Sequence, residues 1–202
     1  RLISMWPARG GPVIKDGVVY FTAGIWPFMG IFVYALDAQS GAVVWSNTGA
    51  GAAYLKQQHD AESFAGIAPQ VYLAAAGDAL LVAGGRTPPA CFDRNTGALR
   101  YLDLSSRVFN KNPGGYGVFT QGDWFFNGAG IYKLADGAPA TGVTAGILTG
   151  DAILTVEKGG IAAYAAQPDV EEVKDISKPD TTRKKYTLKP LWKTGDLGIT
   201  TL

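Results

Sequence analysis

Few residues in this chain have the types and spacing that do chemistry. His59 is the single histidine, and it sits in the polar run Lys56-Gln57-Gln58-His59-Asp60-Ala61-Glu62-Ser63. An imidazole beside carboxylates can ligate a metal or carry a proton. The alternative is a structural or solvent-exposed histidine, because a catalytic one needs partners from other parts of the fold. A Ser/His/Asp arrangement on Ser63 has nothing to support it. Arg86 follows Gly84-Gly85 and precedes Thr87-Pro88-Pro89, where a loop leaves a strand. Such a place can present backbone N–H groups and a guanidinium fork to an anion, or turn the arginine onto loop carbonyls. The glycines lack the Lys-Ser/Thr pair and the following helix of a phosphate loop. Trp26, Phe28 and Met29 form an apolar loop, either a contact patch or a plug over the end of their own strands.

Other chemistry is excluded more firmly. The lone cysteine, Cys91, rules out an intrachain disulfide and a thiolate metal cluster, and reads as a small buried apolar residue. With 18 basic against 17 acidic side chains the net charge is +1, so no one-signed field draws the whole chain to nucleic acid. No run has the apolar length of a membrane span. No catalytic residue and no metal site is assigned.

The elements that must position these residues are strands. Hydrophobic residues make up 47% and charged residues only 17%, with 27 Gly, 11 Pro and 23 aromatics (9 Tyr, 9 Phe, 5 Trp). That composition suits short strands joined by tight turns, and disfavours long helices. Gly17-Val18-Val19-Tyr20-Phe21-Thr22 reads as a strand entered from a turn at Asp16-Gly17. Ile31 to Leu36 follows, then the turn Asp37-Ala38-Gln39-Ser40-Gly41, then Ala42-Val43-Val44-Trp45. The pattern recurs at Gly77–Val82 with Cys91–Tyr101. It returns in degenerate form at Gly122–Phe126 with Ile131–Gly137, and a fourth time at Gly150–Val156 with Ile161–Tyr164. The last closing strand, Pro190-Leu191-Trp192-Lys193, is delayed by the segment 167–189. That segment holds 11 of the 35 charged residues and reads as a solvated surface excursion. The expected units are 11–49, 67–103, 117–143 and 146–195. The first is expected to lack a leading strand.

Ala35, Asp37, Gly41 and Trp45 occupy positions one, three, seven and eleven of an eleven-residue stretch, a spacing that resembles the repeat of pyrroloquinoline-quinone (PQQ)-type β-propellers. Asp93 and Gly97 repeat it, with Cys91 at the Ala position and Tyr101 at the Trp position, and Trp192 matches Trp45 once the excursion is allowed for. The resemblance extends to large bacterial proteins of PQQ-binding-like repeats. It implies an all-β propeller of four-stranded antiparallel blades, about four in this chain and part of an eight-bladed ring. It also implies that Trp45 and Trp192 are buried against neighbouring blades, with Trp26 nearer a loop surface. A working dehydrogenase of this kind would need an adjacent cysteine pair, a calcium site of carboxylates and an amide, and an aspartate base. The cysteine pair is absent, so PQQ and calcium are expected only if other blades supply their site.

The reading is therefore a non-catalytic scaffold or binding segment of a larger, exported bacterial protein, periplasmic or extracellular by resemblance, with any export signal outside this stretch. The alternative is a fragment of a quinoprotein dehydrogenase or of another propeller enzyme with its site at the channel mouth. Expected partners are the remaining blades or another domain or subunit. Lys56, Gln57, His59 and Arg86 are expected to converge at one mouth of the ring, on a polar or anionic small ligand.

Overall fold

A computed structural model describes residues 4–51, 53–56, 62–69, 71–85, 87–104, 114–141, 146–174 and 181–200. The first blade is β1 (Ala8–Lys15), β2 (Val18–Ala23), β3 (Phe32–Asp37) and β4 (Val43–Asn47), an antiparallel meander in that spatial order. A two-stranded hairpin, β5 (Ala53–Lys56) and β6 (Glu62–Ala65), leads to the second blade: β7 (Leu73–Ala76), β8 (Ala79–Val82), β9 (Ala90–Asp93) and β10 (Leu99–Tyr101). The third blade has β11 (Val118–Gln121), β12 (Trp124–Asn127) and β13 (Gly130–Lys133), extended by a Tyr132–Pro139 bridge toward β14 (Ala140–Thr141). The fourth is β15 (Ile147–Thr149), β16 (Ala152–Glu157) and β17 (Gly160–Ala165). It is interrupted by the hairpin β18 (Asp169–Lys174) and β19 (Thr182–Thr187), then closed by β20 (Pro190–Lys193). Among the described residues the helical element is one 3₁₀ turn, Pro27–Met29, and no helix is long and apolar enough to cross a membrane.

First strands of successive blades meet: β7 packs beside both β1 and β11, and Gly11 bridges Tyr72 in parallel. The chain is thus an all-β propeller array of about four blades, with β1, β7 and β11 innermost.

A strand leads the first blade, contrary to expectation. Gly10, Gly11 and Pro12 read as loop punctuation, but the β1–β2 register slips between Arg9 and Val13, so a bulge absorbs them. The β1–β2 turn is Asp16-Gly17, with both φ angles positive (50° and 74°), as a two-residue primed turn requires.

The motif residues act as their types dictate. Asp37 Oδ1 accepts from the N–H groups of Gln39 (3.2 Å) and Ser40 (2.7 Å), and Asp93 Oδ1 from those of Asn95 and Thr96 (both 2.9 Å). Both caps close equivalent hairpin turns, whose Gly41 and Gly97 take φ of 72° and 74°.

Packing between blades follows the pleat, since residues opposite one another across a sheet share a face. In the first blade Val13, Tyr20, Ala35 and Trp45 form one such row. It packs on Ala75, Leu80 and Phe92 of the second. The Trp45 indole lies over Gly97, where a Cβ would come within 2.5 Å of the ring, and its Nε1 donates to the Arg94 carbonyl at 2.8 Å. Arg94 returns the tie with a 2.7 Å ion pair to Asp16. One blade on, Ala74, Leu81, Cys91 and Tyr101 repeat the row. Tyr101 covers Gly137, and its hydroxyl donates to the Leu134 carbonyl at 2.8 Å.

Trp192 departs from expectation. It pairs with Ala163 as Trp45 pairs with Ala35, yet it is 51% exposed. The motif predicts the strand position correctly, but burial depends on a covering turn, and none lies over Trp192 among the described residues.

The third junction is built differently. Trp124, Phe126 and Ile131 pack on Ile153 and Tyr164 of the fourth blade, and on Tyr186 and Leu188 from the charged segment. Within that segment β18 is largely exposed. In contrast, β19 pairs in parallel with β14 (Ala140 with Tyr186, Thr141 with Thr187), a docking that charge content alone does not suggest.

Candidate functional site at the loop end of the blades

An up-and-down meander sends alternate connections to opposite ends of the strands. The tight turns β1–β2, β3–β4, β7–β8 and β9–β10 share one end. The longer connections, β2–β3, β8–β9 and the β4-to-β7 segment carrying the β5–β6 hairpin, share the other. These long connections enclose a groove of about 490 Å³ lined by Arg9, Ile25, Trp26, Pro27, Phe28, Phe64, Gly66, Ala68, Gly84 and Thr87.

One wall of the groove is aromatic. Trp26 and Phe28 stack with ring centroids 6.4 Å apart and planes within 25°, Phe28 meets Phe64 at 5.9 Å, and Phe64 meets Tyr54 at 4.5 Å. Trp26 and Phe28 are each 57% exposed, so their rings stand in solvent and are not buried as a plug. Their loop is pinned at both ends. Gly24 N–H donates to the Pro7 carbonyl at 3.0 Å, and the Trp6 indole N–H donates to the Met29 carbonyl at 2.8 Å. The rings are therefore held out by the backbone.

The other wall is backbone-rich, with Gly66, Ala68, Gly84 and Thr87. Arg9 reaches it from the β1 bulge, its Nε donating to the Pro69 carbonyl at 2.9 Å. Of the sequence-predicted residues, Gln57, His59 and Arg86 lie outside the described residues, as does the Lys56 side chain. Their described flanks, Phe64 after the first group and Gly84 and Thr87 around Arg86, all border this one groove. Arg9, Tyr54 and Phe64 escaped sequence reasoning. The run Lys56–Ser63 reads as a polar loop, although the alternation Ala53-Tyr54-Leu55-Lys56 is a short strand signal.

The turn end carries charge. Arg100 forks onto Asp78 (3.0 and 2.7 Å) and onto Asp93 (2.5 Å), and this holds the Asp93 carboxyl near pKa 2. Every carboxylate of that trio is spoken for within it. Cys91 is buried opposite Tyr101, and burial pushes its thiol above the ordinary range. Among the described residues no three His, Cys, Asp or Glu side chains gather to hold a metal. With one cysteine and no such grouping, the residues described do not fit a PQQ–calcium centre, and no step is derived through one.

No protein-family model and no curated protein matches the chain. Solved structures do. BamB from Moraxella catarrhalis matches at 16% identity and TM-score 0.44, over 88% of this chain and 48% of its own. A europium-containing methanol dehydrogenase matches at 18% and 0.43, over 74% and 28%. Quinohemoprotein alcohol dehydrogenase from Comamonas testosteroni matches at 15% and 0.36, over 95% and 21%. The chain is similar to each of them at low identity. It spans about half the length of the first and less than a third of the other two. The propeller assignment rests on the sheets described above.

Proposed function

We propose that this chain is a binding segment of a larger, exported bacterial propeller protein. Its loop-end groove would receive a small ligand that combines a flat apolar body with an acidic group. The observation that carries this reading is the Trp26–Phe28–Phe64 wall, held open to solvent on a rigid scaffold. Exposed aromatic surface of this kind costs solubility and is retained where something stacks on it. Lys56, Gln57, His59 and Arg86 are the candidates to meet the acidic group, because Phe64, Gly84 and Thr87, which flank them in sequence, line the groove. Export and a periplasmic or extracellular location belong to the same reading, by resemblance to PQQ-type repeat proteins.

The test is a fluorescence titration with an aryl carboxylate, indole-3-acetate or benzoate, and a matched neutral aryl amide. Saturable quenching that disappears in Trp26→Phe, and weakens at least tenfold in Arg86→Gln, supports the reading. Equal response to acid and amide removes the anionic half of it. Quenching unchanged in Trp26→Phe removes the groove.

A further inference from the structure

The rim of the third blade carries an open strand edge, apart from the faces by which blades stack. Through the Tyr132–Pro139 bridge that blade continues outward to β14, β19 pairs beside β14, and β18 pairs beside β19. β18 is the last strand, and among the described residues nothing pairs with its other side. The third blade has a neighbouring blade on each side within this chain, so its rim is not a face that a further blade would cover. Five of the six β18 residues, all but Val173, are exposed. Proline and bulges, two devices that blunt such an edge, are missing, since all six residues hold an unbroken register with β19. An edge strand of this kind offers a row of backbone N–H and C=O groups to another chain.

Charge decides what can use them. β18 carries Asp169, Glu171 and Glu172 against Lys174, and the strand it already holds is basic. Glu171 stands opposite Lys185, Glu172 opposite Lys184, and Asp169 pairs with Lys189 at 2.8 Å. Successive residues of a strand point to opposite faces, so Glu171 and Glu172 set one carboxylate on each face. A second β18 in full antiparallel overlap would join Asp169 to Lys174 at the ends but set Glu171 against Glu172 twice at the centre, where like charges oppose it. We propose that β18 is a docking edge for an extended basic segment of a partner protein, which brings two adjacent Lys or Arg residues opposite Glu171 and Glu172 as β19 does from the other side. The added strand gains main-chain hydrogen bonds, and the acidic pair selects its charge. The groove belongs to the first two blades, so either site can fail alone.

The probe is a fluorescein-labelled, acetylated and amidated peptide copying Thr182–Thr187 with Tyr186→Thr, so that it cannot take the buried site of that tyrosine. Its anisotropy is expected to rise to saturation with the 202-residue chain. The same peptide N-methylated throughout keeps the charge but has no backbone donors, and is expected to bind at least tenfold more weakly. Glu171→Gln with Glu172→Gln in the protein is expected to weaken the unmethylated peptide at least tenfold as well, and creates no like pair within the hairpin. The two peptides are compared on the parent chain, so that arm stands even where the variant misfolds. No saturable binding into the millimolar range would overturn the proposal. Equal binding of both peptides would leave charge attraction alone, and indifference to the glutamine pair would put the peptide elsewhere, and each overturns it. Tighter binding of a peptide copying Asp169–Lys174 would make a second copy the occupant and overturn it too.

Discussion

The Tyr186 hydroxyl donates to the Asp136 carboxylate at 2.7 Å across 50 residues of sequence. Asp136 is the turn aspartate of the third blade, and its Oδ1 also accepts from the Ala138 N–H at 2.9 Å. At the first two junctions the earlier blade reaches forward with an outer-strand aromatic. At the third the later blade reaches back with Tyr186, which also meets Trp124 edge-on at 6.2 Å. Tyr186→Phe keeps the ring and loses one hydrogen bond, so it should cost about 1 kcal/mol. Tyr186→Ala also empties a buried aromatic site and should cost about 3 kcal/mol or more. Urea unfolding of both variants checks the gap, and equal losses would show that the ring contributes nothing beyond its hydroxyl.

Trp45→Ala should destabilise by about 3 kcal/mol, the low end for removing a large aromatic, because the indole is half-buried. A loss under about 1 kcal/mol would show that the first junction does not depend on it.

Gly17 and Gly97 share φ of 74°, but a Cβ at Gly17 meets nothing within 4 Å while one at Gly97 meets the Trp45 ring. Alanine at either position pays about 1–2 kcal/mol for the left-handed backbone. Gly97→Ala must also displace the indole, so its thermal midpoint should fall further than that of Gly17→Ala. Equal midpoints would separate the turn from the docking.

Acid and alkali should act on different contacts. Arg100 first, with the Thr96 and Asn95 N–H groups against a burial penalty, brings the folded Asp93 carboxyl to about 2. A carboxyl depressed on folding contributes stability that is complete above its unfolded pKa of about 4 and drains away as pH falls toward 2. The Arg100→Gln variant should therefore show a flatter acid limb between pH 4 and about 2 than the parent. At the other extreme, burial raises both Tyr132 and Tyr186 to about 12, with Asp136 adding to the second. Their contribution is complete below the ordinary tyrosine pKa of about 10 and is lost as pH climbs through 12. Absorbance titration at phenolate wavelengths should find that ionisation lagging, then coinciding with unfolding.

Local chemistry was legible in the sequence. A capping aspartate, a left-handed glycine and an alternating strand are written within a dozen residues, so Asp37–Gly41 and Asp93–Gly97 could be placed as equivalent turns. What depends on distant surfaces was not. Trp192 echoes Trp45 in its strand, but nothing local to it says whether a turn of another blade covers the ring. The docking of β19 turns on Tyr186 and Leu188, two apolar residues within a run whose charge dominates any window average. The aromatic wall of the groove joins Trp26 and Phe28 to Phe64 across nearly forty residues, a proximity set by which end of a meander each connection leaves from. Lys56, Gln57, His59 and Arg86 stay a proposal for the same reason.

The pairing of β14 with β19 also bears on the order in which the molecule can be finished. Ala140 and Tyr186 are partners 46 positions apart (186 minus 140). A chain emerging from the ribosome therefore presents a third blade whose outer edge has no strand to pair with until most of the fourth blade has been made. The first two blades can settle as they appear. The last two must wait for each other, and that interval is when an unpaired edge is most open to a chaperone or to a wrong neighbour.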